Sequence, residues 1–227
     1  METQEHVFMT NFNGNPNVGL YAYANDKLCL AGKSVPHNQL EKLSSILRVP
    51  IHKTNMAGTS MLGVFCVGNS HCLLLPPIAF DDELDILKKA GIRYQVIDTH
   101  LTALGNNILC NDHGAIVSPE LEEEFVRQIE SALKVKVLKS TIAGLDNVGS
   151  LASVNNKFGI ISIDATDAEI AIIEKHLKIK LTTGTLGMGL PYISSSLILN
   201  THGFIVSDRS SGIEIADADQ ALGYNID

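Results

Sequence analysis

The sequence predicts a closed ring of five α+β units, each a ββαβ-type repeat set around a pseudo-five-fold axis. An asparagine in a tight-turn context recurs as Asn25, Asn69, Asn111, Asn155 and Asn200, at differences of 44, 42, 44 and 45. A hydroxyl residue closing an apolar stretch recurs as Thr10, Thr54, Thr99, Ser140 and Thr183, at differences of 44, 45, 41 and 43. The last unit, Gly187–Asp227, has no closing strand, whereas the chain begins with one, Val7–Thr10. Self-similarity at a period of tens of residues marks a repeat architecture, in which no unit buries its own faces and neighbours must cover it. An N-terminal strand that completes the last unit closes the ring and hides the edges an open array exposes.

The clearest unit is Ala57–Thr99. Leu62–Val67 and Cys72–Leu75 are apolar runs of strand length. Between them Gly68-Asn69-Ser70-His71 reverses the chain, with Asn suited to the left-handed backbone of a tight hairpin. Pro76-Pro77 ends the second strand, Asp81 is placed to cap a helix, and Asp82, Glu83 and Asp85 lie on the positive end of its dipole. Arg93–Thr99 returns as the closing strand. In the first unit the strands are Val18–Ala24, Leu28–Ala31 and Pro50–Thr54. Its helix runs from Pro36 to Leu47, with Pro36 at the first helical position and Leu40, Leu43 and Leu47 in one stripe. The third unit's helix has Ser118 as cap, Pro119 first, and Leu121, Phe125, Ile129 and Leu133 at helical spacing. The fourth carries a capping box, Thr166 with Glu169, ahead of Ile170, Ile173 and Leu177. A weak helix, Ile213–Leu222, belongs to the fifth.

The repeats disagree in one interval. From hydroxyl marker to turn asparagine the count is 15 in units one, two and four, 12 in unit three and 17 in unit five. A glycine follows the marker by four (Gly14, Gly58, Gly144, Gly187), but unit three has Ala103 there, with Gly105-Asn106-Asn107 behind it. Ring symmetry favours uniform loops, so the irregular ones are candidates for function.

Composition bounds the function. The chain has 227 residues, 45% hydrophobic and 5% aromatic, enough for a sizeable core in one domain spanning residues 1–227. No apolar run reaches the roughly 18 residues of a membrane span, and the polar, acidic Met1-Glu-Thr-Gln-Glu-His is no secretory signal. The four cysteines, at 29, 66, 72 and 110, sit in or beside strand runs without metal-ligand spacing, which fits a reducing, cytoplasmic compartment. Net charge is −8 and no Lys/Arg cluster stands in the sequence, so phosphate-backbone binding is not expected as the main source of affinity. A basic protein partner suits the charge better.

No residue set reads as a catalytic or metal centre. Cys29, Cys66 and Cys72 read as small buried thiols. Cys110 beside Asn111-Asp112-His113 mimics a Cys/Asp/His cluster, but neighbours in a hairpin point apart. His71, His113 and His202 occupy matching turn places on different blades, too far apart to share a metal at roughly 2 Å. Gly184-Thr-Leu-Gly187-Met-Gly189 has loose dinucleotide-loop spacing yet leads into strand-like sequence. The carboxylates at 81–85 and 120–124 read as helix starts. No cofactor is expected, and a binding protein is the expectation.

The wording of several motifs is informative. Phe12-Asn-Gly-Asn-Pro-Asn-Val-Gly19, Ala57-Gly58 followed by Leu62-Gly63, Cys66-Val-Gly-Asn69, and Leu101-Thr-Ala-Leu-Gly-Asn106 with Cys110-Asn-Asp112 resemble the translation initiation factor 6 family, from about Val7 to Gly223. The length resembles archaeal members, without the C-terminal extension of eukaryotic ones. The resemblance implies a pentein fold, also described as an α/β-propeller. It also implies a non-enzymatic anti-association factor, which binds the large ribosomal subunit beside the sarcin–ricin loop. The contact would run mainly through a ribosomal protein, with little direct nucleic-acid contact and no membrane, and would block small-subunit joining; a role in large-subunit biogenesis and a monomeric state accompany it. The family's contact position falls on Asn106, and a second on Val64, directly after Gly63, where eukaryotic members carry Arg. Ser60, Met61, Leu104 and Asn147 are further partner-binding candidates by proximity in the ring. The rival reading on the same fold is a guanidine-modifying enzyme of the arginine deiminase or amidinotransferase kind. Those resemble one another in a late cysteine nucleophile, and this chain has no Cys after Cys110.

Overall fold

Five three-stranded sheets make up the blades of the computed structural model, which describes residues 5–224. The first four residues of the stretch read as lacking a secretory signal lie outside the described residues. In each blade an antiparallel pair joins by a short turn, and a third strand returns parallel to the middle one after a helix. Blade one holds Ala22–Ala24, Cys29–Gly32 and Ile51–Thr54 around the helix His37–Leu47. Blades two to four repeat it, with helices Asp81–Lys89, Glu123–Leu133 and Asp167–Leu177. Blade five holds Leu197–Leu199 and Phe204–Ser207 and the helix Gly212–Leu222. Its third strand is Val7–Thr10, paired in parallel with Phe204–Ser207, so the first strand of the chain closes the ring as expected.

The core lies between blades. Val67, Cys72 and Leu74 of blade two pack with Ile129, Ala132 and Leu133 from the helix of blade three. Leu109 and Ile116 of blade three pack with Ile173 and Leu177 of blade four, and the pattern continues around the ring. Each helix therefore buries its apolar stripe on its neighbour's sheet, and no blade holds a complete core of its own.

Four expectations are corrected. The first halves of the leading strands read as Val18–Ala24 and Leu62–Val67 are turns of helix, Val18–Leu20 and Leu62–Phe65, and Leu104–Asn107, Val148–Leu151 and Ile193–Ser196 repeat them in the other units. They crowd together at the axis. A Cβ on Gly19, Gly63, Gly105 or Gly149 would sit 1.8, 1.9, 2.1 or 2.2 Å from the carbonyl oxygen of Ser194, Gly19, Gly63 or Gly105, respectively. Glycine is required by that approach, and the strand-like hydrophobicity of Leu62 and its equivalents comes from burial alone.

The turn asparagines are not left-handed; none of them has positive φ. Each instead caps its turn, as when Asn69 Oδ1 accepts from the N–H groups of His71 and Cys72. The same amide donates to the next blade: Asn69 Nδ2 to Asn111 O at 3.2 Å and to Leu133 O at 2.9 Å. Asn111 repeats this with Asn155 O and Leu177 O, and Asn200 with Asn25 O and Leu47 O. At the seam between blades four and five, the Tyr224 hydroxyl donates to Asn200 O in place of Asn155.

The hydroxyl marker is displaced in two units. Cys29, four past Asn25, pairs with Ile51, three before Thr54. Leu73, four past Asn69, pairs with Tyr94, three before Ile97, so Ile97 and not Thr99 holds that place. In blade four Gly159 pairs with Leu181, which puts Gly184 there instead of Thr183. Two helices start elsewhere than read. The third begins at Glu123, because the Ser118 hydroxyl accepts from Glu120 N in a separate turn. The second is preceded by Phe80, whose N–H donates to Glu83 Oε2, so Asp81 is its first residue. Pro36 likewise stands just before its helix. The Thr166–Glu169 capping box is present as expected.

Candidate functional site

The end of the ring opposite the asparagine turns is built from the inner helical turns and from hairpins at the blade junctions. Phe12–Asn15, Met56–Thr59 and Ile142–Leu145 each bridge across two residues of positive φ, Asn13-Gly14, Ala57-Gly58 and Ala143-Gly144. That pair of conformations makes a primed two-residue turn, matched to the twist of the flanking chain. Leu186–Leu190 is one residue longer. Blade three has no bridge here among the described residues: its connection from Ile97 to Leu104 runs straight into the inner turn.

In blades two, four and five a carboxylate at the start of the outer helix grips the hairpin beside it. Glu83 accepts from Ala57 N and Gly58 N, Glu169 from Ala143 N and Gly144 N, and Glu214 from Met188 N and Gly189 N. Partial burial works against the charge of Glu169, but the N–H groups of Thr166 and Gly144 and the Thr166 and Thr141 hydroxyls outweigh it. They hold that carboxyl down at about 2. Glu214 is lowered by the same balance. In blade one Gln39 takes this place, and in blade three Glu122 bonds Thr99 and His100.

The sequence-derived candidates separate on this end. Val64 and Asn106 occupy the same place in adjacent blades, each directly after an axial glycine. Both are half-buried, and among the described residues the Asn106 side chain makes no hydrogen bond, unlike Asn107, whose Nδ2 donates to Ala103 O. Met61, at 39% exposure, and Asn147 precede their inner turns in equivalent places. The Asn147 amide is held by Ser150 Oγ, and the Ser60 hydroxyl is tied to Asn55 Oδ1 and Ser34 N. Gly63 packs against Gly19 O at the axis. Leu104, expected as a contact, is instead fully buried among core residues of blades two and three, and its side chain offers no surface to a partner. The reading missed Leu20, Ser150 and Ser195, which share the place of Val64 and Asn106, and Tyr192, which shares that of Met61. Counting from the axial glycines, and not from the hydroxyl marker, would have found them.

Exposed apolar side chains gather here: Met61, Leu145, Met188, Leu190, Tyr192 and Ile213, with Met188 at 70% and Ile213 at 76%. Around them stand exposed carboxylates at the helix starts and loops, Asp81, Asp82, Glu123, Glu124, Asp146 and Asp167. An apolar centre with a charged rim is the anatomy of a protein-binding surface.

Residues 7–221 match the eIF-6 family over nearly the whole chain. The chain belongs to the eIF-6 family. It is 35% identical over 212 residues to translation initiation factor 6 of Sulfolobus acidocaldarius, covering 92% of this chain and 95% of that one. It is 37% identical over 206 residues to translation initiation factor 6 of Staphylothermus marinus, with 89% and 91% covered. Identity to the Thermococcus onnurineus factor is 31% over 225 residues, with 96% and 99% covered. These eIF-6 relatives carry the name of translation factors, not of enzymes. Among solved structures, SxtG, an amidinotransferase from Microseira wollei, aligns with 54% of this chain and 39% of its own at 15% identity and a TM-score of 0.37, too slight a likeness to carry an argument.

Inside this eIF-6 ring the axis encloses a cavity of about 140 Å³, bounded by the glycine turns at one end and the asparagine turns at the other. Cys66 and Cys110 line it. Burial, with the nearby Asp112 carboxylate, pushes the Cys110 thiol up to about 12, and burial followed by Glu83 raises Cys66 further. Both are thiols at neutral pH, and a thiolate is what a nucleophilic cysteine needs. At the asparagine-turn end Asn156 Nδ2 donates to Asp26 and Asp112 at 3.0 and 2.9 Å across the ring. Among the described residues no helix is long and apolar enough to cross a membrane.

Proposed function

We propose that the chain acts as a cytoplasmic translation initiation factor that docks its hairpin end on the large ribosomal subunit and excludes the small subunit by occupying the joining surface. Family membership supports the role. The observation that carries the docking is the exposed apolar cluster within an acidic rim on that end, a surface suited to a basic ribosomal protein, whose approach the acidic rim accelerates. The mechanism is steric and needs a stable interface of roughly 1,200–2,000 Å². Asn106 supplies a side-chain amide that makes no hydrogen bond among the described residues, with Val64 and Met61 as apolar contacts.

Co-sedimentation with isolated large subunits tests the binding, and light scattering of subunit joining tests the exclusion. The factor is expected to pellet with large subunits and not with small ones, and to suppress joining in proportion to occupancy. A chain that stays in the supernatant at low micromolar concentration overturns the reading.

A further inference from the structure

The fold collects at the asparagine-turn end what the sequence scatters. All five outer helices run in one direction. Their first turns grip or border the hairpin end, and the last carbonyls of four of them are held by asparagines of the neighbouring turns. Three helices end on a cation in the left-handed conformation, Arg48, Lys134 and Lys178, with φ of 53°, 58° and 55°. Lys88, Lys89 and Lys175 lie in last turns, and Arg93, Lys136 and Lys180 at the starts of third strands. The third place of the turns themselves is Lys27, His71, His113, Lys157 and His202, a basic side chain in every blade. Eleven of the chain's 17 lysines and arginines thus stand at one end, all exposed, in a protein of net charge −8.

We propose that this end is a second interaction surface, which holds RNA through its phosphate backbone. The inference rests on the placement of these cations and not on the large-subunit reading. Compensation of helix dipoles does not account for the crown. That effect fades beyond the last turn, and Lys27, Lys157, Arg93, Lys136 and Lys180 stand on turns and strands. Stability does not account for it either, since glycine is the favoured residue at the left-handed positions held by Arg48, Lys134 and Lys178. Nearby carboxylates are occupied: Glu130 faces Lys136 at 3.7 Å, Glu174 faces Lys180 at 3.6 Å, Asp85 bonds Lys88, and Asp26 and Asp112 are tied to Asn156. Among the described residues no carboxylate reaches Arg48, Lys134, Lys157, Lys175 or Lys178.

The densest part is a shallow depression lined by Lys157, Lys175, Lys178 and Lys180 with Glu174 and the half-buried ring of Phe158. Cations flanking an aromatic surface suit a strand whose phosphates are tracked and whose bases stack. A lipid surface fits less well, because the turns, helix ends and strand starts that carry these cations hold none of the large exposed apolar side chains.

The test is fluorescence anisotropy of the full chain with a labelled oligouridylate of roughly 20 nucleotides. Binding in the micromolar range is expected at about 50 mM salt, falling towards about 200 mM with a log–log slope near −3 for about four phosphate contacts. Lys157→Glu with Lys178→Glu should weaken it at least about tenfold. Lys33→Glu with Arg209→Glu, the same charge change at the hairpin end, should leave it unchanged. Lys178→Gly separates charge from folding: it relieves a left-handed side chain, so Tm should rise while RNA affinity falls. Absence of salt-dependent binding, equal losses in the two double variants, or adsorption to phosphatidylserine vesicles without RNA binding would each overturn the proposal.

Discussion

Gly149 illustrates how a single residue carries the ring. An added Cβ would meet Gly105 O at 2.2 Å and Ile108 O at 2.5 Å, both backbone atoms that cannot rotate away. Gly149→Ala should therefore cost at least about 2 kcal/mol in urea denaturation, the scale of forced overpacking. Gly14, with φ of +83° and open space around its Cβ, offers the contrast: Gly14→Ala strains one backbone position and should cost about 1 kcal/mol. Asn106 is the functional counterpart. Because its side chain makes no hydrogen bond among the described residues, Asn106→Lys should leave Tm nearly unchanged while weakening large-subunit pelleting by about 1 kcal/mol or more, roughly fivefold. A shift in Tm of several degrees would make Asn106 structural.

Among the elements, the asparagine turn and the helix-start carboxylate join blade to blade and helix to hairpin. Asn111 makes four hydrogen bonds, accepting from His113 N and Gly114 N and donating to Asn155 O and Leu177 O. Asn111→Ala should cost about 3 kcal/mol, since buried partners lose their bonds. Asn111→Asp keeps the acceptor that shapes the turn but sets a carboxylate against two carbonyls. It should be no milder at neutral pH, which separates the joint between blades from the local cap. Glu169 adds a pH dependence. Its carboxyl is held at about 2 in the fold against an ordinary 4.5. Its contribution is therefore complete above about pH 4.5 and disappears as pH falls towards 2. Wild-type Tm should decline across that window, and Glu169→Gln should be less stable at pH 7 with a shallower decline in acid.

On the scale of the whole molecule, closure depends on one strand of four residues, Val7–Thr10, whose removal would leave Phe204–Ser207 as a bare edge. Deleting residues 1–10 should lower Tm and raise light scattering as unpaired edges associate, with far-UV circular dichroism reporting the surviving blades. Closure also aligns the helices and sorts the charges, with acids and exposed apolar groups at the hairpin end and cations at the turn end.

What repeats locally was legible from the residues alone. The places of the turns, the Thr166–Glu169 box and the apolar stripes stand in the fold as read, because each is decided by neighbours a few positions away. The unpaired last unit implied the closing role of Val7–Thr10, since a ring leaves no spare edge. Other features depend on partners one or more blades away. Leu62 reads as strand and forms a helical turn because Gly63 must reach Gly19 O. Asn69 reads as a backbone device and acts through its amide on Leu133, 64 positions on. Leu104 reads as a contact and lies in the core, whereas lysines scattered along the chain meet at one end. Periodicity determined how many units there are and how they close; only the packed ring decided which side chains face a partner, because that depends on atoms brought together across the gaps between blades.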